Sequence, residues 1–431
     1  MGVYCRVVPM YLSKICIGFL FLFLAWNGIS RYTNSTDFQD YYSASQMFMA
    51  GEDIYAYEDI AKAQGKIKSL EDIFKPEMAP LLDKLMNQTG SYIYPPTFAF
   101  LLIPISIFAY PTASLVFSIL NFISLVFAFY LMIQYFKPFT NQNTLIVACL
   151  LALVLNFRFL ENHVNNNQVG FFLMLLVMLS LSTKRNYLSG FFLSLAIIIK
   201  LTPAIFLVYF FWKRRYSALL YTFLFLGFWF LLPGVFYWDY NLKNWLNWNE
   251  MILQSVMKTP VFRAWKNNQS MIATLAKYFI EFADPINQAN YKMPWIKMNP
   301  ESVIRIFNGI FVVFGLLLLH LLYKARILGK YASDARVISA LFVLSVIFSG
   351  ISWVHTFCFF LFPVIYLCIE YFEGGMSKWN KIIFWIASLL LVLPNRNFVG
   401  EGFESMLMMF SVLLYAGILY FLLLVFYQEE N

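Results

Sequence analysis

Long apolar runs alternate with short polar connections from residue 11 to residue 427. Leucine, phenylalanine and isoleucine fill these runs too continuously for barrel strands, which alternate and are only weakly hydrophobic. A helix needs about 20 apolar residues to cross a bilayer, and fewer where it is broken or shielded by neighbours. On that basis the pattern predicts about twelve spans, near 11–29, 112–135, 143–157, 168–183, 187–200, 203–212, 216–237, 303–323, 337–352, 355–372, 380–394 and 404–427. Residues 187–212 are long for one helix and short for two, with Lys200-Leu201-Thr202-Pro203 at their centre. Proline lacks a backbone donor and disfavours helix at the residue before it, which predicts a break at Thr202. Residues 96–109, behind the stiff Tyr94-Pro95-Pro96, read as a juxtamembrane helix and not a span.

Composition agrees with that pattern. Of 431 residues, 61% are hydrophobic, 20% aromatic and only 13% charged, which excludes an ordinary soluble globule. The expected fold class is an all-α polytopic membrane protein, one integral-membrane unit over residues 1–431. The net charge of +8 reads as lysine and arginine stacked on cytoplasmic loops, with no nucleic-acid partner. Lys137, Lys184-Arg185, Lys213-Arg214-Arg215, Lys324, Arg326, Lys330, Arg336, Lys378 and Lys381 fall on one side, whereas the short loops opposite hold only Arg158, Lys200 and Arg396. That asymmetry predicts cytoplasmic N- and C-termini in a cell (plasma or inner) membrane. It leaves two long extracytoplasmic loops, 30–111 and 238–302, with Trp238, Trp245, Trp248, Trp265 and Trp295 suited to an interfacial belt. Arg6 and Lys14 ahead of Ile15–Trp26 imitate a signal peptide, but no A-x-A-like site follows, so the run reads as an anchor. Cys5, Cys16, Cys149, Cys358 and Cys368 have neither metal-site spacing nor a disulfide pattern and read as buried apolar side chains.

The polar chemistry collects at the predicted outer edge. Asp37 and Asp40 follow the first run directly and, three residues apart, would share one helix face. A carboxylate beside a bilayer core is costly and tends to mark function; the competing reading is that Asp37 only caps the helix beginning at Phe38, helped by Ser35 and Thr36. The same edge receives Tyr92-Ile93-Tyr94, Arg158 through His163, Asn165-Asn166-Asn167-Gln168, Lys200, Asn268-Gln269-Ser270, Ser352-Trp353-Val354-His355 and Asn395-Arg396. Lys200 ends an apolar helix, where a lone cation is expensive unless it snorkels or meets an anion such as a lipid phosphate. His355 at the outer end of a span serves either a structural hydrogen bond or a phosphate. Asn165 to Gln168 suit sugar hydroxyls or cap the helix that follows. Glycosyl transfer needs a carboxylate base for the acceptor hydroxyl and cationic or donor groups for the departing phosphate. Asp37 with Lys200, His355 and Arg158 has that composition. No HExxH, GxSxG, Walker or GxGxxG pattern and no zinc spacing occurs.

The ordered set Asp37-Phe38-x-x-Tyr41-Tyr42-x-Ala44, Gly51-x-x-x-Tyr55, Tyr94-Pro95-Pro96, Asn167-Gln168, Lys200-Leu201-Thr202-Pro203, Asn268-Gln269-Ser270 and Ser352-Trp353-x-His355 resembles glycosyltransferase family 87 over most of residues 10–370. The resemblance implies a GT-C fold, a polyprenyl-phosphate-linked sugar donor, mannose foremost, an extracytoplasmic active site, inversion, and no metal or other cofactor. It implies Asp37 as general base, with Asp40 a possible second acid at a position often apolar in the family. Lys200, His355 and Arg158 would meet the donor phosphate. Tyr41, Tyr94, Asn167, Gln168, Asn268, Gln269 and Trp353 would meet donor sugar or a lipid-linked or glycan acceptor. The alternative is a transporter or flippase of lipid-linked saccharides, which would thread polar residues through the midplane to both faces. Asn34-Ser35-Thr36, Asn87-Gln88-Thr89 and Asn268-Gln269-Ser270 match the glycosylation sequon, a pattern that also arises by chance.

Overall fold

A computed structural model describes residues 10–34, 36–55, 76, 92–254, 263–280, 296–328 and 331–426. Within them the chain is helical, with no strand. Lys330, Trp295, Cys5, Arg6, Ser35 and the triplet Asn87-Gln88-Thr89 lie outside the described residues. Six described helices are long and apolar enough to cross a bilayer: Met10–Ser30, Tyr110–Phe136, Gln142–Asn165, Tyr216–Val235, Pro300–Ile327 and Val354–Phe372. Glu401–Met409 and Val412–Phe426, bent by 55°, make a seventh if taken as one broken span. By length alone, then, six or seven runs qualify, against the expected twelve. The difference lies in short apolar helices such as Gly170–Ser182, Asn186–Ile199 and Thr202–Trp212. At 1.5 Å per residue a 13-residue helix covers about 20 Å of a hydrocarbon core about 30 Å thick.

These short helices are nevertheless packed among the long ones and run between the same two ends. At one end, Arg215 donates to the Thr183 carbonyl (3.2 Å) and to Asn186 (3.0 Å), and Lys213 pairs with Asp334 at 2.8 Å. The basic connections at 184–185 and 213–215 therefore meet, with Arg336 two residues beyond Asp334. The opposite ends of the helices carry Asp37, Gln168 and Lys200. Val354–Phe372 is almost wholly buried and forms the heart of the bundle, whereas Met10–Ser30 is peripheral. Gly190 lets the helix Asn186–Ile199 press on Tyr216–Leu231: a Cβ there would stand 2.6 Å from the Tyr221 Cβ.

Local breaks deliver the site residues. Asn186–Ile199 stops ahead of Lys200, which is extended at φ −152° and ψ 133°. The chain then restarts as a 3₁₀ turn, Thr202–Phe206, with Pro203 in its first turn. The expected break is present and puts Lys200, not Thr202, at the gap. Pro96–Leu101 and Ile103–Ser106 are far too short to span, in line with a juxtamembrane reading. The helix Phe38–Ala50 lies against this segment: Tyr42 donates to the Phe108 carbonyl at 3.0 Å, and Phe38 stacks on Phe117 with ring centres 4.6 Å apart. It ends at Gly51, whose φ of +71° is a left-handed cap that glycine adopts without strain. In the second long loop Trp238 is half exposed, but Trp248 is buried and donates through Nε1 to the Ile93 carbonyl at 3.1 Å. Trp248 is thus part of a protein wall and not of an interfacial belt.

Candidate active site

Asp37 sits at the N-cap of Phe38–Ala50, yet its side chain makes no capping hydrogen bond. The simple capping role is therefore unfilled by the carboxylate, which instead accepts a hydrogen bond from Gln168 Nε2 on Oδ2. The orientation of that amide is set from behind. Tyr41 donates its hydroxyl to Gln168 Oε1 at 2.8 Å, and the Tyr94 hydroxyl stands 3.4 Å from the same oxygen and 2.9 Å from the Tyr41 hydroxyl. Burial pushes both phenols above their ordinary range, so they remain donors. With Oε1 facing two hydroxyls, only the NH₂ group can face the carboxylate. Burial likewise raises the Asp37 carboxyl, against the opposing effects of the Gln168 hydrogen bond and the Lys200 charge. A carboxylate held above its usual range is a stronger base than one in water.

The Lys200 ammonium lies over the Tyr94 ring, 5.5 Å from its centre. Among the described residues no carboxylate comes within ion-pairing distance of it; Asp37 acts on it only through the longer-range field. Lys200 and Tyr94 line a cavity of about 280 Å³ with Arg263 and with the apolar walls Leu201, Trp248, Ile252 and Phe348. Asp40 lies in the first turn of Phe38–Ala50, close enough to Tyr41 and Tyr94 for its charge to act on their hydroxyls.

The remaining sequence candidates separate into other roles. Arg158 is paired with Glu404 through Nη2 at 2.8 Å and lines a second cavity that does not include Lys200. Its guanidinium is thus neutralised away from the first cavity, contrary to its expected place beside the donor phosphate. Trp353 and His355 line the same second cavity, with His355 within the field of Lys200. Asn167 is buried at φ 50° and donates to the Ser114 carbonyl at 3.3 Å. It closes the helix Gln142–Asn165; the next helix, Gly170–Ser182, has Val169 at its N-cap with no side-chain bond. The polar run therefore terminates the preceding helix instead of capping the following one. Asn268 donates to the carbonyls of Arg263 (3.1 Å) and Gly350 (3.2 Å) and accepts from the amides of Ser270 (3.2 Å) and Ser352 (2.9 Å). Gln269 donates to the Lys266 and Met408 carbonyls. The Asn268 side chain thus clasps residues 263–270 to 349–352, the Gln269 side chain ties the same segment to Met408, and neither residue lines either cavity. His163, fully buried, accepts from the Phe171 amide at Nε2 (3.1 Å) and stacks on the Phe171 ring. His163 belongs to the polar run expected at this edge, whereas Arg263 is an isolated residue in sequence that only the fold brings to the first cavity. Among the described residues, no three of His, Cys, Asp and Glu gather so as to hold a metal ion.

A family model described as Glycosyltransferase family 87 matches residues 92–350. The chain belongs to glycosyltransferase family 87. No curated protein and no solved structure matches it. The protein is thus a membrane glycosyltransferase, and the matched stretch includes Tyr94, Gln168, Lys200 and the Asn268 clasp. Asp37, Asp40 and Tyr41 precede that stretch, and Trp353 and His355 follow it.

Proposed function

We propose that this family 87 transferase moves a hexose, mannose being the sugar the family resemblance suggests, from polyprenyl phosphate to a hydroxyl of a lipid-linked or glycan acceptor. The architecture we assign is GT-C, with the site on the extracytoplasmic face and the basic connections in the cytoplasm of a cell membrane. Asp37 is the base: the acceptor oxygen bonds to the anomeric carbon as that carbon's bond to the phosphate oxygen breaks. The electron pair leaves with the phosphate, the hydroxyl proton passes to Asp37, and attack from the opposite side inverts the centre. Lys200 balances the departing phosphate, and Arg263 lies in the same cavity. The polyprenyl chain lies along the apolar wall, which removes any need for a nucleotide-binding fold.

One observation carries this reading: an ammonium that has no carboxylate within ion-pairing distance among the described residues lines an apolar-walled cavity, within the field of a carboxylate held by a dedicated amide. An uncompensated buried cation is costly, and an anionic ligand offsets that cost. The test is transfer by the purified protein from a labelled polyprenyl-phosphate hexose. Transfer that requires both Asp37 and Lys200 supports the reading, and passage of the intact lipid-linked sugar across vesicles without transfer would replace it with transport.

A further inference from the structure

The second cavity, about 480 Å³, differs chemically from the first. Among the described residues, Lys200 and Arg263 are the only charged ones lining the first, which is otherwise mostly apolar. The second is lined by three basic side chains, three acidic ones and six asparagines. Its charges cancel, and four of the six are already spent in the Arg158–Glu404 and Arg396–Glu401 pairs. Such a wall has little to offer a phosphate. Asparagine amides both donate and accept, which matches hydroxyl groups.

Several polar atoms in this wall have no hydrogen-bond partner among the described residues. Arg158 Nη1 and Asn165 Oδ1 are buried without a hydrogen bond. His355, only 9% exposed, lines the cavity and has no hydrogen-bond partner among the described residues. Buried polar groups left unmet cost about 1–3 kcal/mol each, so the site is prepared for a ligand with hydroxyls. Trp353, 39% exposed, adds a flat apolar face at the rim, its ring centre 6.2 Å from that of His355. A ring face of this kind packs against the C–H face of a pyranose. His355 also lies within the field of Lys200, which lines the first cavity.

We infer that this cavity binds the saccharide part of the acceptor, an uncharged glycan, separately from the polyprenyl-phosphate donor. The assignment rests on the transferase reading above but not on the identity of its base. Two sites of different chemistry let donor and acceptor load without competing.

The experiment measures binding without turnover, on the full-length protein in lipid nanodiscs. The probes are linear manno- and gluco-oligosaccharides of two to four units, and a polyprenyl phosphate. Asn162→Ala and Trp353→Ala are at the surface of the cavity and leave the bundle intact, checked by thermal unfolding. At least one oligosaccharide is expected to bind the unmodified protein, with affinity falling at least about tenfold in both variants. Lys200→Ala should leave that binding unchanged and weaken polyprenyl phosphate, for which the two cavity variants behave as the unmodified protein. Loss of polyprenyl-phosphate binding in Asn162→Ala would overturn the proposal by assigning the cavity to the donor. Saccharide binding indifferent to both cavity variants, or none with a Kd below about 10 mM for any probe, would also overturn it. Asp37→Asn should bind saccharide normally whether or not it turns over, so failure of the base leaves this result readable.

Discussion

Replacing Gln168 by methionine isolates the link between the tyrosine pair and the carboxylate. The substitution keeps the side chain's length but removes the amide that donates to Asp37 and accepts from Tyr41. A hydrogen bond to a charged group is worth about 1.5–3 kcal/mol, and 1.36 kcal/mol corresponds to one pKa unit. Asp37, already raised by burial and held down in part by this amide, should therefore rise further when the amide is removed. The base works in its ionised form, so transfer is lost as pH falls through that pKa. The acid limb of kcat/KM should accordingly move to higher pH in Gln168→Met. Titrating transfer from a labelled polyprenyl-phosphate hexose across pH 4–9, in detergent or nanodiscs, reads this directly. A lower plateau with an unmoved acid limb would refute the reasoning, because packing loss alone reduces activity without shifting the ionisation of the base.

Three further outcomes follow from the same geometry. Lys200→Ala should raise the apparent KM for donor at least about tenfold with a smaller change in kcat, since it removes the charge facing the cavity; steady-state kinetics with varied donor checks this, and an unchanged KM counts against the phosphate role. Asn268→Ala should act on stability, because it strips four hydrogen bonds from a buried clasp; a loss of at least about 3 kcal/mol is expected, seen as a lowered Tm, and an unchanged Tm with altered KM would return Asn268 to ligand binding. Asp40→Asn should retain most of the turnover, and a large loss there with Asp37→Asn silent would reassign the base.

Much of this protein is legible along the chain because membrane insertion leaves blunt signals. Uninterrupted apolar runs, the proline behind Lys200 and the helix start at Phe38 all follow from local chemistry, and each matches the structure. Span counting fared less well, since Gly170–Ser182 and its neighbours are shortened in ways that only surrounding helices can tolerate. The site divides along the same line. Asp37 could be singled out by its position, but the amide that orients it lies 131 residues away. Arg158 looked like a free cation at the outer edge; its partner Glu404 is 246 residues distant, and sequence spacing carries no trace of that pairing. The Asn268-Gln269-Ser270 and Ser352-Trp353 motifs looked like ligand contacts because they are polar and sit at one edge. Their side-chain polar atoms are mostly spent on nearby backbone, with Asn268 bridging the two segments, a division of labour that residue type alone does not reveal.

The account rests on a carboxylate from the first long loop, Asp37, taking the proton of the acceptor. Turnover by Asp37→Asn, measured beside its binding of a polyprenyl phosphate, tests this most directly. Binding should stay within about twofold of the unmodified protein while turnover falls at least about a hundredfold, the usual worth of a general base. Near-normal turnover by a well-folded Asp37→Asn would contradict it.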